Sequence, residues 1–215
     1  RGVFEGTLKD NGKTIDGEWK QAGSVLPLVL SLIGEKPEIR REQDPVKPYP
    51  YDEEEVVYEN KEAGVTLAGT LTLPRSEGPF PAVILITGSG PQNRDEGVFG
   101  HRPFLVLSDY LTRQGIAVLR VDDRGIGGST GNSSQATTED FAGDVLAGVE
   151  YLKSREEIDS TKIGLIGHSE GGLIAPLVAV QSPDVAFIVM MAGPGITGEE
   201  IILLQSDLIA RAEGA

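Results

Sequence analysis

The 215 residues are enough to bury one good-sized core, or one core with a small appendage. With 39% hydrophobic and 24% charged residues, the composition is that of a globular protein and excludes wholesale disorder. A formal net charge of -14 argues against nucleic acid or an anionic membrane surface as partner, and the absence of cysteine excludes disulfides, thiolate metal sites and a cysteine nucleophile.

Arg1 is followed by no signal-peptide pattern, so the chain is expected to begin within a longer protein. Residues 1–34 read as an antiparallel β segment, the tail of an upstream β domain. "GVFEGTLK" and "TIDGEWKQ" flank "DNGK", where Asn11-Gly12 suits a tight turn with positive φ, and "SVLPLVLSL" adds a third strand whose Pro27 marks an edge or bulge. Residues 35–52, with four prolines among mixed charges, read as a semi-extended linker. The acidic run "YDEEEVVYEN" is a solvated strand entry; it lacks the ligand spacing and turn glycine of a calcium loop.

From residue 53 onward strands and helices alternate. "VVYEN" and "VTLAGTLTLP" read as an antiparallel pair, and "PAVILITG" as a strand buried on both faces. Phe104, Leu107 and Leu111 predict a helix ending near Gly115, and "IAVLRVDD" a further strand. Thr137 and Asp140 are spaced as a capping box ahead of a helix whose apolar face holds Phe141, Val145, Val149 and Leu152. "KIGLIG", "GGLIAPLVAV" and "VAFIVMMAG" then read as strand, helix and strand, and residues 196–215 as an amphipathic helix starting a lid. The rhythm predicts an α/β fold, a mostly parallel sheet with helices on both faces. No apolar run approaches the roughly 18 residues that span a bilayer.

The chemistry centres on Gly167-His168-Ser169-Glu170-Gly171, a G-x-S-x-G pattern between an apolar strand and an apolar helix. A serine on such a strained turn needs a glycine two residues to either side, so that strand and helix backbones can approach. It makes Ser169 a candidate nucleophile, and the following N–H, that of Glu170, a donor toward an oxyanion at the positive end of the helix. The glycine-rich "LITGSGPQNRDE" offers a second donor, the Ser89 N–H, at the end of another strand. His101 and Arg94 are candidates for the rim of the site. His168 is expected to pack beneath the elbow, Glu170 to turn its carboxylate outward to a partner, and Asp122, Asp123 and Arg124 to form a buried ion pair that shapes their loop. No metal, nucleotide or phosphate motif is present and no cofactor is expected, since "GIGGSTG" follows a strand but lacks the P-loop lysine.

"GHSEGG", "TGSG" and "DDRGIGGSTG" together make residues 53–215 resemble the α/β-hydrolase superfamily. "IDSTKIGLIGHSEGG" is similar to its serine aminopeptidase-like and dienelactone-hydrolase-like branches, many of them bacterial esterases. The resemblance implies a triad in the order serine, acid, histidine. No histidine follows His168 and "MMAGPG" offers no carboxylate, so the sequence is expected to stop before the acid and the histidine, with a sheet incomplete at its carboxyl end and a fragment inactive by itself. The implied function is a serine carboxylesterase working through an acyl-enzyme on Ser169, with a small ester or short acyl or peptide as substrate. Alternatives are an aminopeptidase-like hydrolase of short peptides and a non-catalytic binding module on a degenerate hydrolase fold. The resemblance leans toward a secreted or periplasmic location.

Overall fold

The computed structural model describes residues 2–21, 23–32 and 41–212, so the linker residues 35–40 lie outside the described residues. The chain divides into two compact units, Arg1–Arg40 with Ile202–Ala215, and Arg41–Ile201.

In the first unit β1 (Val3–Lys9), β2 (Thr14–Gln21) and β3 (Ser24–Ser31) form a three-stranded antiparallel sheet in that order. The β1–β2 ladder closes at Lys9↔Thr14 around Asp10, Asn11 and Gly12, whose φ values of 52°, 53° and 89° are the left-handed conformations that Asn-Gly favours. Pro27 lies on β3, an edge strand, where its missing N–H need break no ladder bond on the open side.

The second unit is built on a six-stranded sheet. Its strands are β4 (Asp52–Asn60), β5 (Val65–Leu73), β6 (Phe80–Ile86), β7 (Ala117–Val121), β8 (Ile158–His168) and β9 (Val185–Met191), in the order β4-β5-β7-β6-β8-β9. β4, β5 and β7 pair antiparallel, whereas β7, β6, β8 and β9 run parallel. The parallel crossovers carry α1 (Pro103–Arg113), α2 (Thr138–Lys153) and α3 (Gly171–Gln181). Thr137 caps α2 in the expected capping box: its hydroxyl takes the Asp140 N–H and the Asp140 carboxylate takes the Thr137 N–H.

Alternation along β6 sends its side chains to both faces of the sheet. Ile84 and Ile86 join Leu71, Leu119, Val149 and Leu165 in one core, and Val83 and Leu85 join Phe104, Val118 and Ile166 in the other. The latter half of the expected linker is anchored rather than extended. Tyr51 is buried and donates to Asp109 at 3.0 Å, and Arg102 grips Asp44 at 2.9 Å.

The sheet expected to be incomplete at its carboxyl end is a correction. The antiparallel strands β4 and β5 widen it to six strands, and past β9 the chain continues into α4 (Gly198–Ala212), a 15-residue helix. Six strands with helices on both faces is an ordinary layered architecture. The expected stop ahead of a triad acid and histidine, and the inactive fragment drawn from it, thereby lose the short sheet on which they rested.

Candidate active site

The chain enters the parallel sheet at β6, steps to β7 on one side, then crosses back to β8 on the other. The carboxyl ends of β6 and β8 thus flank the switch point of the topology, where open α/β sheets place their ligands. Ile86 pairs with Gly167, which sets the turn after β6 beside the turn after β8.

Ser169 occupies that second turn with φ of 52°, a left-handed conformation that a non-glycine residue holds only under strain. The strain is fixed by backbone bonds on both sides: Ser169 N–H donates to Met191 O at 3.0 Å, and Gly172 N–H donates to Ser169 O at 2.9 Å. The flanking glycines have the steric role expected of them. A Cβ on Gly167 would lie 1.9 Å from Gly171 O, and one on Gly171 would lie 2.4 Å from Ile86 O. Gly172 adds a requirement not foreseen, since its Cβ would meet Gly193 Cα at 2.6 Å.

The turn after β6 approaches just as closely, with a Cβ at Gly88 falling 3.1 Å from Ser169 Cβ. Gly88 N–H is already committed, donating to Glu96 Oε1 at 2.8 Å. The Ser89 and Glu170 N–H groups have no acceptor among the described residues. Ser89 is exposed and Ser169 half-buried. The Glu170 carboxylate accepts the Thr138 hydroxyl at 2.8 Å, a pairing with the start of α2.

The two histidines part company. His101 is exposed at the start of α1, 3.5 Å from Gln43, and lines a cleft with Leu107, Tyr110 and Met191. His168 does not pack away beneath the elbow; its side chain is 40% exposed and its Nδ1 lies 2.7 Å from Glu96 Oε1. Among the described residues nothing is hydrogen-bonded to the Ser169 hydroxyl.

Arg94 is likewise not a free rim residue. It holds Asp122 through Nε and Nη2 at 3.2 and 2.8 Å and also reaches Thr70 and Glu55. The ion pair expected among Asp122, Asp123 and Arg124 is therefore rearranged. Asp122 pairs with Arg94, while Arg124 pairs with Asp144 at 2.7 Å, which also accepts from Asn60 at 2.8 Å. Asp123 takes the Thr87 hydroxyl at 2.7 Å and the Gln92 N–H at 2.9 Å, bracketing the turn that contains Gly88 and Ser89.

These adjacent aspartates have opposite acidities. Burial disfavours the Asp122 charge, but the Arg94 guanidinium, the Arg94 N–H and the Gly128 N–H outweigh it and hold the carboxyl below its usual range. Burial pushes Asp123 up to about 6, because its two hydrogen bonds do not compensate and Asp122 and Asp144 lie nearby. Asp123 lines a small cavity of about 50 Å³ with Thr87, Gly88, Asp144, Phe141 and Glu170, directly under the paired turns.

Glu96 and Asp144 were not among the residues singled out from the sequence. Glu96 stands two places from Arg94 in "NRDE", yet its inward course depends on a local turn: Asn93 Oδ1 accepts the Asp95 and Gly97 N–H groups, both at 3.1 Å. An asparagine ahead of Asp-Glu-Gly was the one available signal.

A serine on a strand-to-helix elbow at the switch point, faced by a glycine-rich turn, defines an α/β-hydrolase-type protein. Residues 103–212, just over half of the chain, match the family described as serine aminopeptidase, S33, and the chain belongs to that family. Esterase EstD of Thermotoga maritima is 30% identical over 206 residues, 93% of this chain and 46% of that protein. The chain spans less than half the length of the curated relatives it matches. Among solved structures, an esterase of Pyrococcus furiosus superposes with a TM-score of 0.53 at 27% identity, over 68% of this chain and 51% of that one. A dienelactone hydrolase from Anabaena variabilis gives 0.54 at 22% identity, over 67% of this chain and 65% of the other, a likeness of fold alone. Among the described residues no group of acidic or histidine side chains is arranged to hold a metal ion, and no helix is long and apolar enough to cross a membrane.

Proposed function

We propose that this protein is a serine hydrolase of carboxylic esters, with Ser169 as nucleophile and the Glu170 and Ser89 N–H groups as the oxyanion site. The observation that carries the reading is the left-handed Ser169 (φ 52°) on a turn where Gly167 and Gly171 leave no room for a Cβ. Ser169 Oγ adds to the acyl carbonyl carbon and its proton passes to a general base. The carbonyl electron pair moves onto oxygen, facing the two free N–H groups and the positive end of α3. Collapse expels the alcohol, which takes up the proton, and water repeats the sequence on the acyl-enzyme to release the acid. The names of the matched esterases support an ester substrate. The family description favours a second reading, hydrolysis of short aminoacyl substrates.

The test pairs short-chain aryl esters with aminoacyl anilides and labels the protein with a fluorophosphonate. Ester turnover and labelling, both abolished by Ser169→Ala, are expected. Anilide turnover exceeding ester turnover would select the second reading. Turnover that survives Ser169→Ala, or a serine that never labels, would overturn both and leave a binding module.

A further inference from the structure

We infer that Glu96 is a positioning residue that fastens the oxyanion turn to the nucleophile elbow. The inference rests on the assignment of Ser169 as nucleophile. A single oxygen, Glu96 Oε1, accepts from Gly88 N–H at 2.8 Å and from His168 Nδ1 at 2.7 Å. With the His168 proton on Nδ1 the same carboxylate oxygen accepts both bonds, and hydrogen bonds to a carboxylate are the stronger kind. One atom therefore ties the turn after β6 to the last residue of β8, immediately before Ser169.

The structure sustains this placement against strain. Glu96 is only 6% exposed and has φ of 50°. Asn93 imposes that conformation by capping Asp95 and Gly97 with its side chain and taking the Glu96 N–H on its carbonyl at 2.8 Å. A Cβ at Gly88 would lie 3.1 Å from Ser169 Cβ, 3.2 Å from Glu96 Oε1 and 3.3 Å from His168 Nδ1, so latch and nucleophile close on the same glycine. Glu96 holds the Thr87–Gly88 peptide, the one that carries the Gly88–Ser89 peptide, whose N–H is left for an oxyanion. Without the carboxylate the turn is held by Asp123 alone, through Thr87 and Gln92, and the Gly88 N–H loses its acceptor in a closely packed place. Neither Arg94 nor Asp95, which precede Glu96, can substitute, because each is held elsewhere, by Asp122 and by Arg120.

The experiment measures fluorophosphonate inactivation of Ser169 over a range of probe concentrations, separating the binding constant KI from the chemical step kinact. It is applied to wild type, Glu96→Ala and Glu96→Gln, with a melting curve for each. Removing an oxyanion donor outright costs on the order of 10²–10³ in rate, so a loosened one is expected to lower kinact about 10- to 100-fold in Glu96→Ala. KI should stay near wild type, while the melting temperature falls with the lost acceptor of Gly88 N–H, so each protein is assayed well below its own transition. Glu96→Gln, which keeps an oxygen for Gly88 N–H, should recover part of the loss, and it carries the test if Glu96→Ala does not fold. Wild-type kinact in folded Glu96→Gln and Glu96→Ala, or a loss that tracks melting temperature and KI alike, would overturn the role while leaving Ser169 as nucleophile. A wild-type protein that never labels would overturn the reading of Ser169, and this role with it.

Discussion

Replacing Asp123 with asparagine isolates one physical effect, the burial of a carboxylate beside the turn that follows β6. Between the ordinary 3.8 and about 6, the folded protein holds a proton at Asp123 that the unfolded chain has already released. Stability from this group is therefore complete below pH 4, declines as pH rises, and is gone above pH 6. About two pH units at 1.36 kcal/mol each amount to about 3 kcal/mol. The substituted amide would not titrate, yet it fits the same contacts: its oxygen accepts the Gln92 N–H, and its NH₂ group donates to a Thr87 hydroxyl rotated to receive it. Asp122, the nearest other carboxylate, is held below its usual range by Arg94 and so stays ionised throughout the window. Urea unfolding of wild type and Asp123→Asn at pH 4, 5, 6 and 7 measures the effect as a difference of differences. Because the unfolded carboxyl is already partly ionised at pH 4, the variant should gain about 2 kcal/mol of this on wild type between pH 4 and pH 7, whatever its baseline. Stability profiles that run parallel across that range would refute the reasoning, because they would mean that Asp123 is no harder to ionise in the fold than out of it.

Gly167→Ala drives a methyl group to within 1.9 Å of a carbonyl oxygen that belongs to the backbone of α3 and cannot swing aside. A loss of about 3 kcal/mol or more is expected in the same urea assay, and an unchanged midpoint would refute the packing account of the elbow. The strain at Ser169 is read by comparing two small replacements: Ser169→Gly should be more stable than Ser169→Ala by about 1 kcal/mol, since only alanine pays for positive φ there. Equal stability would show the turn to be unstrained.

Much of the framework was legible because it is written locally. The apolar run of β6, the period of Phe141, Val145, Val149 and Leu152 along α2, and the Thr137–Asp140 box each express a preference that a short run of neighbouring residues decides among itself. The elbow was legible for a related reason: glycine spacing around Ser169 reports a steric demand between neighbours in sequence. What stayed hidden is the choice of partners among charged groups. "NRDE" and "DDR" are polar or charged throughout and allow many plausible pairings, and the pairing observed depends on register. Arg94 meets Asp122 across 28 residues, and Arg124 meets Asp144 across 20. Local spacing could not rank these against the nearer pair Asp123–Arg124, which does not form. The antiparallel pair was legible in the sequence, but local spacing could not show that β5 then joins β7, Gly69 opposite Val121, and so brings the pair into the main sheet. Asp122 and Asp123 state the principle most sharply. They are the same residue type in adjacent positions on one loop, yet one meets a guanidinium that keeps it charged and the other is buried with only Thr87 and the Gln92 N–H for partners, which do not offset the burial. The same holds for position: it is Glu96 and Asp123, rather than the more conspicuous Arg94 and His101, whose side chains hold the turn after β6 in place, through Gly88, Thr87 and Gln92.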